Sequence, residues 1–233
     1  MKHPARICLL FMAELLLEPR CLPHSTKRPP EQEQLQLSVR FYNYARIPDY
    51  EVRATEKVVA RLLTEAGIRL EWTGCITNHG ASGSVPSPCD ASPHSTDLVL
   101  YFVGPLEDHF KRVNCSALGY SIIPDGYESG TMAYVSYLRI QNLSVYTSVN
   151  VAELLGLAVA HEIAHLLFGS RDHTDQGIMR ASWDLRDIEN RGWQLHFTRD
   201  QSQRLRASVR ARLRDEEVEV EMNPLEKGRR KSR

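Results

Sequence analysis

The chain has 233 residues, 42% hydrophobic and 25% charged, with 29 Lys+Arg against 29 Asp+Glu. That composition suits one globular domain with tails and supplies enough apolar material for a core. A formal net charge of zero leaves no excess of phosphate-binding charge, so nucleic acid is not an expected partner.

Lys2 and Arg6 precede the apolar run Ile7 to Ala13, as in a secretory signal. Residues 1–23 are read as a signal peptide, although Glu14 interrupts the run and Glu18 to Cys21 lack the small residues of a cleavage site. The run is shorter than the roughly 20 apolar residues a membrane span requires. A secreted or extracytoplasmic location is expected, without stable membrane insertion. Residues 24–34 are polar and Pro-containing and read as a linker.

A folded domain is expected over 35–215. Leu35, Leu37, Val39 and Phe41 alternate with polar residues, which is strand periodicity, and Asn43 breaks it. Val52, Val58, Val59, Leu62 and Leu63 then fall at helical spacing, with Gly67 as a natural stop. Ile68, Leu70 and Trp72 alternate again. Strand, helix, strand with short connections implies a parallel pair joined by a right-handed crossover.

Cys75 and Cys89 bracket a loop rich in Gly, Ser and Pro. A disulfide closing it would stabilise by roughly 3 kcal/mol and suits an oxidising compartment, whereas free thiols are the alternative. No Cys-x-x-Cys pair occurs among the five cysteines, which argues against a cysteine-only zinc site. "TDLVLYFVG" has the near-continuous apolar character of a central strand. "GYSII" and "TMAYVSYLRI" flank a turn and read as two further strands, one at the sheet edge.

"SVNVAELLGLAVAHEIAHLLFG" is the longest helical pattern, apolar around most of its circumference, as a buried helix is. Thr198 and Gln201 form a capping-box pattern ahead of a C-terminal helix, with Leu205 and Val209 on one face. Residues 216–233 are charged and read as a disordered tail.

The chemistry concentrates in the stretch from His161 to Met179. His161 and His165 are one helical turn apart and project from one face. Two imidazoles so placed can direct ring nitrogens at one zinc ion. Glu162 is rotated off that face, where it can reach a water without ligating the metal. A catalytic zinc site normally takes three protein ligands plus water. The helix cannot supply the third by continuing, because eight more residues carry the chain about 12 Å away. Gly169 is suited to stop it, and His173 is then the best third ligand. Asp172 ranks second and Asp175 third, and Glu189 on a later helix is a further alternative without a supporting motif.

With Gly177-Ile178-Met179 beyond, the segment resembles the metzincin clan of zinc metallopeptidases, whose pattern is His-Glu-x-x-His-x-x-Gly-x-x-His followed by a Met-turn. This chain departs from it: Gly169 comes one residue late and His173 two. The resemblance implies an α/β fold with a twisted mixed sheet of about five strands, a crossover helix, an active-site helix and a C-terminal helix. It also implies that Met179 packs beneath the metal without binding it, and that Arg180 to Trp183 wall the pocket for the side chain after the cut bond. Ala181 stands where some members carry an additional tyrosine ligand, so no such switch is expected. No propeptide cysteine switch is evident.

The expected function is that of a monomeric metalloendopeptidase acting on peptide or protein substrates with one catalytic zinc ion. The alternatives are a non-catalytic zinc-containing binding domain and a zinc hydrolase of a non-peptide amide. An extended substrate is expected to add to the sheet edge near Gly119 to Ile123.

Overall fold

The computed structural model describes residues 34–75, 89–90, 94, 96–106, 116–126, 129–183 and 195–222. The expected signal peptide, most of the linker, Glu189 and the chain from 223 onward lie outside these residues. In chain order the elements are β1 (Gln36–Asn43), α1 (Asp49–Glu65), β2 (Arg69–Cys75), β3 (Asp97–Val103), β4 (Gly119–Ile122), β5 (Met132–Ser136), α2 (Tyr137–Thr147), α3 (Val151–Phe168) and α4 (Arg199–Met222).

The strands form one sheet in the order β2-β1-β3-β5-β4. β1 pairs in parallel with β2 and β3, β3 in parallel with β5, and β4 runs antiparallel along β5 at the edge. The expected βαβ unit and mixed five-stranded sheet are therefore present. Period-two patterning explains which residues turn inward. Leu37 and Val39 of β1, Leu98, Leu100 and Phe102 of β3, and Ala133 and Val135 of β5 share one core with α1 and α3. The opposite face carries a buried ion pair between Arg40 and Asp97, at 2.6 Å. It also carries Tyr42, Tyr101 and Tyr134, stacked across β1, β3 and β5 with ring centroids 5.2 and 4.8 Å apart.

Two sequence expectations are corrected. "TMAYVSYLRI" is not one strand: β5 ends at Ser136, whose hydroxyl accepts the Arg139 N–H and caps α2. Tyr137 and Ile140 are buried from the helix, not from a strand. The C-terminal helix also runs past residue 215 to Met222, so the segment from 216 does not begin as an unstructured tail. The capping box is present as expected. Thr198 N–H donates to Gln201 Oε1 at 2.9 Å, and Gln201 N–H to Thr198 Oγ1 at 3.2 Å. Cys75 and Cys89 are joined by a disulfide with their Cα atoms 5.7 Å apart.

α3 is long and apolar enough to cross a membrane by composition, but 83% of that window is buried inside the fold. It is the core helix, packed on α1 and on β4 and β5. Asn150 caps its start by accepting the Ala152 N–H at 2.8 Å. Arg212 of α4 closes its other end, donating to the carbonyls of Leu166, at 3.3 Å, and of Gly130.

Candidate metal centre

α3 carries His161, Glu162 and His165 in its last two turns, and Gly169 stops it at φ 59°, a left-handed C-cap. Any L side chain at that φ costs roughly 1–2 kcal/mol, which is why glycine suits the position. The loop beyond then brings His173 back to the helix. The ligand nitrogens of His161, His165 and His173 all lie within 4.8 Å of one another. The helix runs one residue longer than the metzincin pattern, and the loop absorbs the second extra residue. Asp172 does not join the cluster: its carboxylate accepts the Ser170 hydroxyl at 2.6 Å on the exposed side of the loop. Asp175 is exposed and likewise stands outside it.

Both helical histidines are oriented by backbone carbonyls. His161 Nδ1–H donates to Ile178 O at 2.8 Å, and His165 Nδ1–H donates to Ser170 O at 2.7 Å. With Nδ1 carrying the proton, each neutral ring presents a bare Nε2 lone pair. These two nitrogens face each other 2.9 Å apart. Burial, reinforced by the His165 charge, pushes the His161 pKa down to about 3, against the opposing pull of the Ile178 bond. Burial also lowers His165, again against its carbonyl bond. Facing lone pairs on rings that resist protonation form a donor set for a cation, and imidazole nitrogens suit zinc. The residues therefore fit the metal that the motif implies.

Glu162 is buried beside this cluster. The Ser121 hydroxyl of β4 lies 2.6 Å from Glu162 Oε2 and 3.0 Å from the Glu162 carbonyl oxygen. Burial raises the carboxyl pKa to about 7, and the Ser121 bond works the other way. Gly119 makes room for the carboxylate, since a Cβ there would stand 2.5 Å from Oε1. Nothing in the sequence pairs Ser121 or Gly119 with Glu162. Alternation placed them on a strand, but no local pattern shows which helix residue an edge strand will meet.

Met179 is 1% exposed and packs in the core cluster. Trp183 Nε1–H donates to Ile178 O at 3.0 Å, so one carbonyl holds both Trp183 and His161. That carbonyl left no trace in the sequence, because a backbone oxygen has no residue signature. Gln201 is the other unanticipated element: its Nε2 donates to Thr174 Oγ1 and to Gln176 O, both at 2.9 Å. The capping residue of α4 thus pins the loop that carries His173. Arg180, Ala181, Ser182 and Trp183 line the cleft beside the histidines, a concavity of about 750 Å³ also bounded by β4 and α2. Of the remaining histidines, His196 pairs with Glu65 at 2.6 Å and His94 approaches Glu216 at 3.8 Å. His79 and His109 lie outside the described residues.

No family model and no curated protein matches the chain. Among solved structures, an archaemetzincin from Methanopyrus kandleri is similar over 76% of this chain and 98% of its own, at 14% identity and a TM-score of 0.48. A metalloproteinase-II from Bacteroides fragilis is similar over 77% of this chain and 55% of its own, at 14% identity and a TM-score of 0.47. On its own residues, a histidine-bearing core helix stopped by glycine, a third histidine returned by a loop and a buried methionine beyond it, the chain resembles the metzincin clan of zinc metallopeptidases.

Proposed function

We propose that the chain is a zinc-dependent metalloendopeptidase. The observation that carries this reading is the convergence of three histidine ligand atoms within 4.8 Å in a cleft that also holds the buried carboxylate of Glu162. His161, His165 and His173 would hold one zinc ion, which when bound supplies Lewis acidity and lowers the pKa of a water.

The chain's own groups do the rest. Glu162 accepts a proton from the attacking water and returns it to the leaving amine. In the metal-free site burial raises the carboxyl pKa to about 7; a bound dication would draw it back down, so Glu162 would stand ionised beside the metal and ready to accept the proton. Ser121 holds Oε2 and so fixes the rotamer of the base. β4 is the edge strand and Gly119 to Ser121 line the cleft, so an extended peptide would add there as a further strand. Met179 supports the site from the core, and Arg180 to Trp183 wall the pocket for the side chain after the cut bond.

The test is zinc content and peptide cleavage on wild type, His173→Ala, Asp172→Ala and Glu162→Ala. About one zinc per chain is expected, as for a three-ligand catalytic site, lost in His173→Ala and kept in Asp172→Ala. Glu162→Ala should keep zinc and lose cleavage by about 10²- to 10⁴-fold. Wild type that binds no zinc would overturn the reading. Zinc without cleavage would assign the site a binding role instead.

A further inference from the structure

α2, the helix that stands where the sequence pattern suggests a longer strand, gives the cleft one of its walls. It supplies Asn142, Leu143 and Tyr146. Tyr146 is three positions from Leu143 and four from Asn142, so the three side chains share one face of the helix. Leu143 is partly buried against the core. Tyr146, one turn further on, borders the cleft and is 82% exposed. The same cleft is lined by Leu118, just before β4, and by Ala158, one turn before His161 on α3. The apolar lining thus begins one helical turn from a metal ligand and ends on an open aromatic ring.

That ring has no partner inside the fold. Among the described residues, Tyr146 makes no ring contact and its hydroxyl no hydrogen bond. Single exposed apolar side chains are ordinary, but this one belongs to a concave surface that also holds the histidines. The continuity of that surface names the occupant. A peptide whose scissile bond lies at the histidines must lay a neighbouring side chain against the lining. Aliphatic groups at Leu118, Leu143 and Ala158, with one ring beside them, suit a large apolar side chain. An aromatic one suits best, because ring pairs gain more than their burial alone supplies.

We propose that α2 is a specificity helix: Tyr146, with Leu143, receives a large apolar side chain of the substrate and is covered by it. This wall is distinct from Arg180 to Trp183. The inference rests on the peptidase reading for the scissile bond, and it adds the class of side chain selected near that bond.

The test uses peptides of one sequence that carry Ala, Leu or Phe at each position flanking the scissile bond in turn. Zinc-loaded full-length protein is assayed for kcat/KM on each. Glu162→Gln protein is assayed for binding of the same peptides carrying a dye. At one position Phe should be preferred over Ala by about tenfold or more in both readouts, with Leu between. Tyr146→Ala should bring that ratio close to one at that position alone, and Tyr146→Phe should keep it. Zinc content and the unfolding midpoint should not move in either variant, because the side chain is exposed and stands outside the histidine cluster. A Phe preference that is absent, or unchanged in Tyr146→Ala, would overturn the proposal while leaving the peptidase reading intact. Selective binding of a Phe peptide, lost in Tyr146→Ala, with no cleavage by wild type would uphold the apolar subsite and overturn the peptidase reading. A wild-type dimer that Tyr146→Ala turns into a monomer would assign the exposed face to a second copy and overturn the proposal. Neither cleavage nor selective binding would overturn both.

Discussion

Half of the candidate site is carried by a helix and half by a loop, and different physics holds each half. On α3, His161, Glu162 and His165 are placed by the helical repeat and by a core that buries the helix on nearly every side. The loop from Ser170 to Gln176 has little burial of its own and His173 is exposed, the chain returning to the core only at Ile178 and Met179. It is held by a few directed bonds: Thr174 N–H to Met179 O at 2.9 Å, Ile178 N–H to His196 O at 3.0 Å, and the Gln201 amide to Thr174 and Gln176. Packing makes the helical ligands rigid at the cost of desolvating them, as the low His161 pKa records. Hydrogen bonding makes the loop ligand dependent on single side chains. The helical half should therefore resist substitution at a distance, and the loop half should not.

The largest effect is expected at the clamp on the helical half. Arg212→Ala leaves the Gly130 carbonyl without its buried donor, while the Leu166 carbonyl keeps the Gly130 N–H at 2.9 Å, and this should cost roughly 2–3 kcal/mol of global stability. Urea unfolding checks it. A loss below about 1 kcal/mol would mean that core packing alone holds the end of α3.

A smaller and more local effect is expected from Gln201→Ala. It removes two bonds to the histidine loop, so zinc affinity should fall by about tenfold or more, as for other groups that orient metal ligands. The capping bond to Thr198 goes with it, so global stability should also drop by about 1 kcal/mol. Gln201→Glu separates the two effects, because a carboxylate can still accept from Thr198 N–H but cannot donate to Thr174 or Gln176. If its zinc affinity matches wild type, the loop is not held by Gln201.

The smallest net effect is the pH dependence of the metal-free protein. The His161 pKa is depressed from its ordinary 6.5 to about 3, so its share of stability is present above pH 6.5 and lost as pH falls toward 3. The Glu162 pKa is raised from 4.5 to about 7, so its share is present below pH 4.5 and lost as pH rises through 7. His165 is lowered by burial in the same sense as His161, so between 4.5 and 6.5 the carboxyl slope offsets only part of the histidine slopes, and the wild-type unfolding midpoint should rise less with pH than the histidines alone would make it. Glu162→Gln removes the carboxyl slope, so that variant should gain more stability than wild type between pH 5 and 7.5. Parallel curves for the two proteins would show that the buried carboxyl does not titrate in this window.

How much was legible follows the same division. Strand β1 ends at Asn43, where its alternation fails, and the parallel β1–β2 pair follows from two short connections around an amphipathic helix. α2 is not legible as a helix because Tyr134, Val135, Tyr137 and Ile140 suit a strand as well as a buried helix turn. The change of period at Ser136 turns on one hydroxyl cap. The end of α4 is not legible because its last turns are highly charged, and charge reads as a solvated tail.

The sequence by itself determined that His161 and His165 share a face with Glu162 beside them and that the helix must stop at Gly169. Those are consequences of a 3.6-residue repeat and of one glycine, which act over a few residues. Only the tertiary structure decided that His173 and not Asp172 completes the cluster, that Ser121 holds the carboxylate, and that Leu143 and Tyr146 enter the same cleft. Each of those turns on where a loop or an edge strand meets a distant segment. The Gln201 bond to Thr174 spans 27 residues and the Ser121 bond to Glu162 spans 41, separations over which a local pattern has no hold.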